Sequence, residues 1–461
     1  MTYDASGNVK TATDAGGTLT YDYNDANQLT TLTQPGGAKT TYAYDGNGDR
    51  TTTTYPGGTV QKTDYDKSSR AQKIEVKNGS TVLSTISYDY NKSGKDSDKI
   101  NKRTIDGAAT AYTYDSKGRL TKAVETKSGS TTAGWAYCYD KAGNMTGRST
   151  GTSLPACADT QSAREYNNAN ELTSLSGDTG FTYDGDGNET SAASPTGPRT
   201  GGQWTPYTQL SAMTASGTAS TYTYAGVDNN DRLTRGSSTF TNAATGMTRE
   251  GTTGFVREAS GTLTAMTSGG ASQYYLTDVQ GSVIGLVDAS GKRTATYSYG
   301  PYGEARTTTG TNQPYRYTGT YLDPSGLYKM GARYYDPQLG RFTQPDPSGK
   351  ESNLYAYAAG DPINRFDPSG EASALSGFVD RVGKYKDYID LGKDAWNGDW
   401  KGVGSTLASV AGGALVGSTC AAVTVAFGVA TGGAGLVTGA ACLVASEVGS
   451  YAASDFVDRQ F

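Results

Sequence analysis

The sequence predicts a mainly β protein built from successive antiparallel hairpins. Its 461 residues include 34 tyrosines and 62 glycines but only 9 phenylalanines. Aromatic and β-branched side chains suit the pleated surface of a sheet, and glycine permits tight turns. Tyr-Asp pairs and close variants, followed by Gly or Asn turn signals, recur roughly every two dozen residues, which indicates a repeat array.

The repeats divide the first half of the chain into units that begin with a tyrosine. The turn is explicit at Asp45–Gly48, which reads Asp-Gly-Asn-Gly, because these residues tolerate a positive φ between two strands. Each unit is therefore predicted to form a strand, a tight turn and a second strand. The units begin near Tyr3, Tyr23, Tyr44, Tyr65, Tyr90, Tyr114, Tyr139, Tyr166, Tyr183 and Tyr224.

The alternation Thr-Tyr-Ala-Tyr at residues 41–44 predicts where the tyrosine rings lie. Side chains two residues apart in a strand share one face of the sheet. We expect the rings to stack between successive hairpins, with their hydroxyls at an edge open to water.

Composition excludes several classes of function. The net charge of −5 includes no Lys/Arg tract, so the hairpin array is not expected to bind nucleic acid. Histidine is absent, which rules out Ser-His-Asp and Cys-His nucleophile systems and imidazole metal ligands. No metal or cofactor is predicted, and any catalysis must use carboxylates, hydroxyls, lysines or arginines.

Specific motifs strengthen the pattern after about residue 270. Residues 274–283 read Tyr-Tyr-Leu-Thr-Asp-Val-Gln-Gly-Ser-Val, and further motifs stand at 299–304, 332–342 and 353–357. Together with the Tyr-Asp repeats, they resemble the Rhs/YD-repeat family with its Rhs repeat-associated core. This family of bacterial polymorphic toxins is related to the C components of Tc toxins and to the teneurins, and the resemblance covers roughly residues 1–370.

The resemblance implies a fold and an internal partner. Such chains form a hollow β shell whose core segment plugs one end, and the shell encloses the polypeptide that follows. We expect a partial YD-repeat shell at 1–265, the core segment at 266–370 and a variable, small α-helical region at 371–461. The expected partners are this enclosed carboxy-terminal region, an immunity protein and a secretion machinery.

Three Asp-Pro-Ser-Gly segments lie in the core block, at 323–326, 346–349 and 367–370. The resemblance implies self-cleavage just after the last one, in the region formed by Gly370, Glu371 and Ala372. The first segment precedes Arg333 in the chain, and we interpret it as a turn and not as a cut site.

The resemblance also implies catalytic residues, namely Asp346 and Asp367 assisted by Arg333. Peptide hydrolysis by two carboxylates needs one protonated and one ionised partner, and an arginine can stabilise the oxyanion or hold the ionised carboxylate. Glu371 stands where the family has leucine. An alternative therefore stays open, in which the aspartates only cap Asp-Pro turns and no cut is made.

The composition changes abruptly after residue 370. Residues 376–401 show the spacing of an amphipathic helix, and residues 402–446 carry no charge and predict a helical hairpin. We expect the hairpin to pack inside the shell, although contact with a membrane is the alternative.

The four cysteines form two local pairs that suit an oxidising compartment. The predicted disulfides join Cys138 to Cys157 and Cys420 to Cys442. For the second pair the alternative is two buried free thiols, since free cysteine behaves as a small hydrophobic residue.

These patterns lead to one leading function and two alternatives. The leading one is a secreted or surface-exposed bacterial toxin-delivery shell, acting in interbacterial or host-directed antagonism, with a single-turnover aspartyl self-cleavage site. The alternatives are a surface adhesion protein that never cuts and a pore-former whose tail acts on membranes. No signal peptide is seen at the start of the sequence, so export would use a dedicated machine or a further amino-terminal region.

Overall fold

Antiparallel strands dominate the computed structural model, which describes residues 1–226, 230–349, 351–371 and 374–375. These residues belong to one compact unit, Met1–Gly383. The predicted helix at 376–401, the hairpin at 402–446, the Cys420–Cys442 pair and Ala372 lie outside the described residues.

The first sheet is a meander in which each strand pairs with its neighbour along the chain. Within the described residues it contains 16 strands in the order β1–β9 and β12–β18, while β10 and β11 form a separate ribbon. The strands are β1 Thr2–Tyr3, β2 Val9–Asp14, β3 Gly17–Tyr23, β4 Leu29–Thr33, β5 Lys39–Tyr44, β6 Arg50–Thr54, β7 Thr59–Tyr65, β8 Ala71–Asn78, β9 Thr81–Asp89, β10 Asn91–Lys92, β11 Lys95–Asp96, β12 Lys102–Ile105, β13 Ala108–Tyr114, β14 Leu120–Lys127, β15 Ser130–Tyr139, β16 Met145–Thr150, β17 Ser162–Tyr166 and β18 Leu172–Leu175.

A two-stranded ribbon of β19 and β20 precedes a second meander, which runs from β21 to β32 in chain order. The strands are β19 Thr182–Tyr183, β20 Glu189–Ser191, β21 Arg199–Trp204, β22 Leu210–Ala215, β23 Thr218–Ala225, β24 Asp231–Arg235, β25 Ser238–Ala243, β26 Gly246–Glu250, β27 Thr253–Arg257, β28 Leu263–Ser268, β29 Ala271–Thr277, β30 Val283–Asp288, β31 Arg293–Tyr299 and β32 Ala305–Gly310.

The core segment adds short strands after the second meander. A four-stranded sheet contains β33 Tyr321–Leu322, β34 Tyr328–Met330, β35 Arg333–Asp336 and β36 Arg341–Phe342, and β37 Arg365–Phe366 pairs with β38 Ala374–Leu375. Helical structure in the described parts of the chain consists of 3₁₀ turns at Pro56–Gly58, Cys157–Asp159, Tyr317–Gly319 and Ala358–Gly360. None of these is long and apolar enough to cross a membrane.

The predicted hairpin turns are confirmed, and the aspartate of a Tyr-Asp pair explains several of them. Asp45 Oδ1 accepts hydrogen bonds from the backbone N–H of Asn47 at 2.9 Å and of Asp49 at 3.0 Å. Gly48 completes the turn with φ +85°, a conformation that favours glycine. The same pair of carboxylate contacts occurs at Asp4, Asp66, Asp115 and Asp184.

The tyrosines bond each hairpin to the one before it. Tyr44 Oη donates to the Leu29 carbonyl at 2.9 Å, and Leu29 is the first residue of β4, the strand that follows the preceding turn. The hydroxyls were predicted to lie at an edge open to water, and that prediction was wrong, because they donate to backbone carbonyls of the protein. The pairs are Tyr23 with Val9, Tyr44 with Leu29, Tyr65 with Arg50, Tyr90 with Ala71, Tyr139 with Leu120, Tyr166 with Met145, Tyr224 with Leu210 and Tyr299 with Val283.

A second set of tyrosines, two residues before the first, points into the core. Tyr42 and Tyr137 are buried on the inner face of the first sheet, as the alternation predicts. The Tyr137 ring meets Tyr302 of the core segment edge-on, with centroids 4.9 Å apart. Aromatic pairs of this geometry stabilise beyond the area that they bury. The core segment therefore packs against the inner face of the first sheet.

Cross-links fix the core segment and one loop of the sheet. Arg148 Nη2 pairs with Glu304 Oε1 at 2.6 Å, and both side chains are buried. Cys138 in β15 forms a disulfide with Cys157, with the Cα atoms 5.8 Å apart.

Candidate active site

The two later Asp-Pro-Ser-Gly segments form tight loops. In the loop at 346–349, the Ser348 N–H donates to Asp346 Oδ1 at 2.9 Å, and the Gly349 N–H donates to the Asp346 carbonyl at 3.2 Å. Proline fixes the backbone after each aspartate, and the glycines take φ near +65°. Each loop thus holds its carboxylate in one orientation.

Arg333, the first residue of β35, lies between these loops and is fully buried. Its Nη2 donates to Asp367 Oδ2 at 2.9 Å, and its Nη1 donates to the Leu354 carbonyl at 2.8 Å. The guanidinium also stacks 3.5 Å above the centre of the Phe342 ring. A planar guanidinium suits this combination of stacking and hydrogen bonding better than an ammonium group would.

Asp367 is 1% exposed and accepts hydrogen bonds on both oxygens. Besides the bond from Arg333, its Oδ1 accepts from Ser369 Oγ at 3.0 Å and from the Glu371 N–H at 3.3 Å. Burial raises the pKa of Asp367 above its usual value, and the Arg333 charge and the Ser369 hydroxyl limit that rise. The donors around it favour the ionised form.

Asp346 is 4% exposed, and it donates a hydrogen bond to the same backbone carbonyl as Arg333 does. Its N–H donates to the same Leu354 carbonyl at 2.8 Å. Burial lowers the pKa of Arg333, and the charges of Asp367 and Asp346 partly offset that lowering. The structure therefore brings all three sequence-predicted residues into one electrostatic cluster.

Glu371 is held at both ends of its backbone by the two loops. Its N–H donates to Asp367, while its carbonyl oxygen lies 2.8 Å from Ser348 Oγ, which also contacts the Asp346 carboxylate at 2.8 Å. Its side chain is half-buried, so the charge in place of leucine is not fully desolvated.

Gly370 has no space for a side chain. A methyl group at this position would overlap the Met330 carbonyl oxygen, and it would lie 2.8 Å from the backbone nitrogen of Arg333. The Ala332 N–H donates to the Ser369 carbonyl at 2.8 Å. The loop before the expected cut is thus docked directly on the backbone beside Arg333.

Sequence reasoning missed Ser348. Serine stands at this place in all three loops, and the identity of the residue alone gave no reason to distinguish one of them.

The first segment forms a turn, as predicted. The Gly326 N–H donates to the Asp323 carbonyl at 2.9 Å, and the carboxylate pairs with Arg232 at 2.9 Å. No group of three Cys, Asp or Glu side chains in the described part of the chain is arranged to hold a metal ion.

Two family models match the chain. The model described as Teneurin YD-shell matches residues 58–193 and 217–364, and the model described as RHS Repeat matches residues 3–39 and 23–60. The first model alone matches more than half of the chain. The chain belongs to the Rhs/YD-repeat family.

Relatives in this family match only parts of the chain. It is 31% identical over 258 residues to the tRNA3(Ser)-specific nuclease WapA of Bacillus spizizenii, covering 51% of this chain and 11% of the relative. It is 33% identical over 108 residues to toxin subunit YenC1 of Yersinia entomophaga, covering 22% and 11%. It is 41% identical over 107 residues to salivary gland surface protein 1 of Aedes aegypti, covering 22% and 3%. The chain therefore spans at most 11% of the length of these relatives.

Solved structures share the fold at lower identity. The Photorhabdus luminescens Tc holotoxin pore aligns with a TM-score of 0.66 at 20% identity, over 81% of this chain and 21% of that chain. The TcdB2-TccC3 structure without its hypervariable C-terminal region aligns with a TM-score of 0.65 at 22% identity, over 80% and 21%. The fold of the described residues is thus that of a Rhs/YD-repeat shell, mainly β as predicted.

Proposed function

We propose that this chain is the shell of a secreted or surface-exposed bacterial toxin-delivery protein, and that it cuts its own backbone once, beside Glu371. The relatives named as a nuclease and as a toxin subunit support the toxin class. In this proposal residues 1–265 form the shell, and residues 266–370 form the plug and the cutting site. Residues 371–461 are the enclosed region, and the cut releases the part of it that follows Glu371.

One observation carries the cutting step. The backbone of Glu371 is bonded at its N–H to Asp367 and at its carbonyl to Ser348, which contacts Asp346. Two carboxylates that are linked in this way to the N–H and to the carbonyl of the same residue can supply a general base and a general acid, provided that one is ionised and the other protonated. Arg333 pairs directly with Asp367, so Asp367 is the ionised base in this proposal and Asp346 is the acid.

The first partner of the shell in this proposal is the carboxy-terminal region that it encloses. A chain with an apolar stretch such as residues 402–446 would expose an aggregation hazard if it were left in water, which favours enclosure. A toxin released in this way requires an immunity protein in the producing cell and a secretion route. These partners follow from the toxin class of the relatives.

A surface protein that never cuts is the second candidate. Two observations favour it: Glu371 replaces the leucine that the resemblance calls for, and one relative is named as a surface protein. In that case the Asp346 and Asp367 loops would serve only as rigid turns around Arg333.

Intact-mass measurement of the purified chain distinguishes the two candidates. We expect the wild type to separate into residues 1–371 and a fragment of about 90 residues, as the proposed cut site dictates. Asp346→Asn and Asp367→Asn should each leave the chain uncut. Asp323→Asn is the matched control, because it changes a buried, arginine-paired aspartate in the same motif away from Glu371. An uncut wild type would refute the cutting step, and cleavage in both Asn variants would refute the aspartyl mechanism.

A further inference from the structure

Ser348 connects the two loops of the candidate active site. Its Oγ lies 2.8 Å from Oδ1 and 2.8 Å from Oδ2 of Asp346, and 2.8 Å from the Glu371 carbonyl oxygen. A hydroxyl has one proton to donate and two lone pairs that accept. Ser348 can therefore donate to the carbonyl at the moment when it accepts a proton from Asp346.

The other two serines of the same motif accept hydrogen bonds from backbone N–H groups close to them in the chain. Ser369 Oγ accepts from the Glu371 N–H at 3.2 Å, and Ser325 Oγ accepts from the Leu327 N–H at 3.4 Å. Both contacts are made within their own loop, two residues along the chain. The bond from Ser348 to Glu371 instead spans 23 residues, so ordinary turn geometry does not account for it.

We propose that Ser348 is a catalytic residue, which relays a proton from Asp346 to the Glu371 carbonyl oxygen and so selects the Glu371–Ala372 bond for hydrolysis. This inference rests on the proposed self-cleavage and deepens it. The carbonyl that Ser348 contacts belongs to that one peptide bond, whereas the neighbouring Gly370–Glu371 bond presents its N–H to Asp367. The cut therefore falls after Glu371 and not after Gly370.

The step balances with water as the co-reactant. The water oxygen bonds to the Glu371 carbonyl carbon while one water proton passes to ionised Asp367. The carbonyl π pair moves onto its oxygen, which takes the Ser348 proton, and Ser348 takes the proton of Asp346. On collapse the bond to Ala372 breaks, its nitrogen takes the proton held by Asp367, and one proton of the diol returns through Ser348 to Asp346. Both aspartates end in their starting states.

The test compares two variants of similar shape in the full-length chain. Ser348→Thr keeps the hydroxyl. Ser348→Val has the shape of the threonine variant, with a methyl group in place of the hydroxyl. We expect the valine variant to cut about 100-fold more slowly, the usual loss when one donor to a developing oxyanion is removed. The threonine variant should retain a rate within about tenfold of the wild type, because its hydroxyl can still relay the proton. The rates are measured by following cell-free synthesis of labelled chain over time on denaturing gels.

Ser325→Ala serves as the control, because it removes the serine of the same motif from the loop that is not part of the site. We expect this variant to cut far faster than the valine variant, and the released fragment to begin at Ala372. Equal rates for the valine and threonine variants, or a fragment that begins elsewhere, would overturn the relay while leaving self-cleavage intact. A wild type that stays uncut would instead refute the proposed function itself.

Discussion

Arg333 and Asp367 form an ion pair of 2.9 Å in which neither side chain is more than 2% exposed. Removing one member of such a pair leaves a buried charge without compensation, which costs about 3–5 kcal/mol. The pair therefore ties the position of the last Asp-Pro-Ser-Gly loop, at 367–370, to β35. The Arg333 charge also lowers the pKa of the carboxylate that bonds to the Glu371 N–H, which opposes the rise caused by burial.

The pH dependence of cleavage should respond to Arg333. If ionised Asp367 is the base, cleavage falls as the pH falls through its pKa, which burial raises above the usual value and Arg333 lowers in turn. Arg333→Lys keeps a positive charge but loses the planar set of N–H donors of the guanidinium. Because the ionised carboxylate is then held less well, the pKa of Asp367 should rise further. We expect the acid limb of the pH–rate profile for cleavage to move to higher pH, with cleavage rates measured by cell-free synthesis in buffers between about pH 5 and pH 8.

Arg232→Lys is the control for this change, since Arg232 pairs with Asp323 in the loop that is not part of the site. An unshifted acid limb in Arg333→Lys, or an equal shift in Arg232→Lys, would contradict the assignment of Asp367 as the base.

The bonds between hairpins should be measurable one at a time. Tyr44→Phe and Tyr166→Phe each remove a hydroxyl that donates to a backbone carbonyl of the preceding hairpin. We expect each change to lower the free energy of unfolding by about 1 kcal/mol, measured by urea denaturation. Tyr207→Phe, at a residue that is 64% exposed, should change it by less than about 0.5 kcal/mol. Equal effects at all three positions would argue against the bonding scheme.

The Cys138–Cys157 disulfide should contribute to stability through the loop that it closes. The two residues are 19 positions apart. In the chain-entropy model, a disulfide that closes a loop of this length raises the free energy of unfolding by about 3 kcal/mol. The double variant Cys138→Ser with Cys157→Ser should therefore unfold at a lower urea concentration than the oxidised wild type. Identical midpoints without reductant would show that the bond does not stabilise the fold.

The sequence predicted the hairpins well because their determinants are local. Asp45 and Gly48 are three residues apart, and their turn depends only on the residues between them. The hydroxyl of Tyr44 was wrongly assigned to water because its acceptor, Leu29, lies 15 residues away on another strand. Strand register decides that contact, and a single motif does not reveal register.

The active-site residues required more than local patterns. Arg333 and Asp367 are 34 residues apart in the sequence, and only the family resemblance predicted that they act at the same site. Ser348 was missed because its contact depends on how two separate loops face each other. Charge and spacing along the chain do not encode that arrangement.

In each bond between hairpins, the tyrosine hydroxyl of one hairpin donates to a backbone carbonyl of the hairpin immediately before it. A duplicated hairpin would carry its own tyrosine and its own acceptor, so an in-frame duplication or deletion restores the same bonding at the junction. Hairpins tied to the core segment, as through Arg148 and Glu304, do not share this freedom, because a shift would separate a buried ion pair. Evolution can therefore lengthen or shorten such an array by whole hairpins, except where the core segment holds it in place.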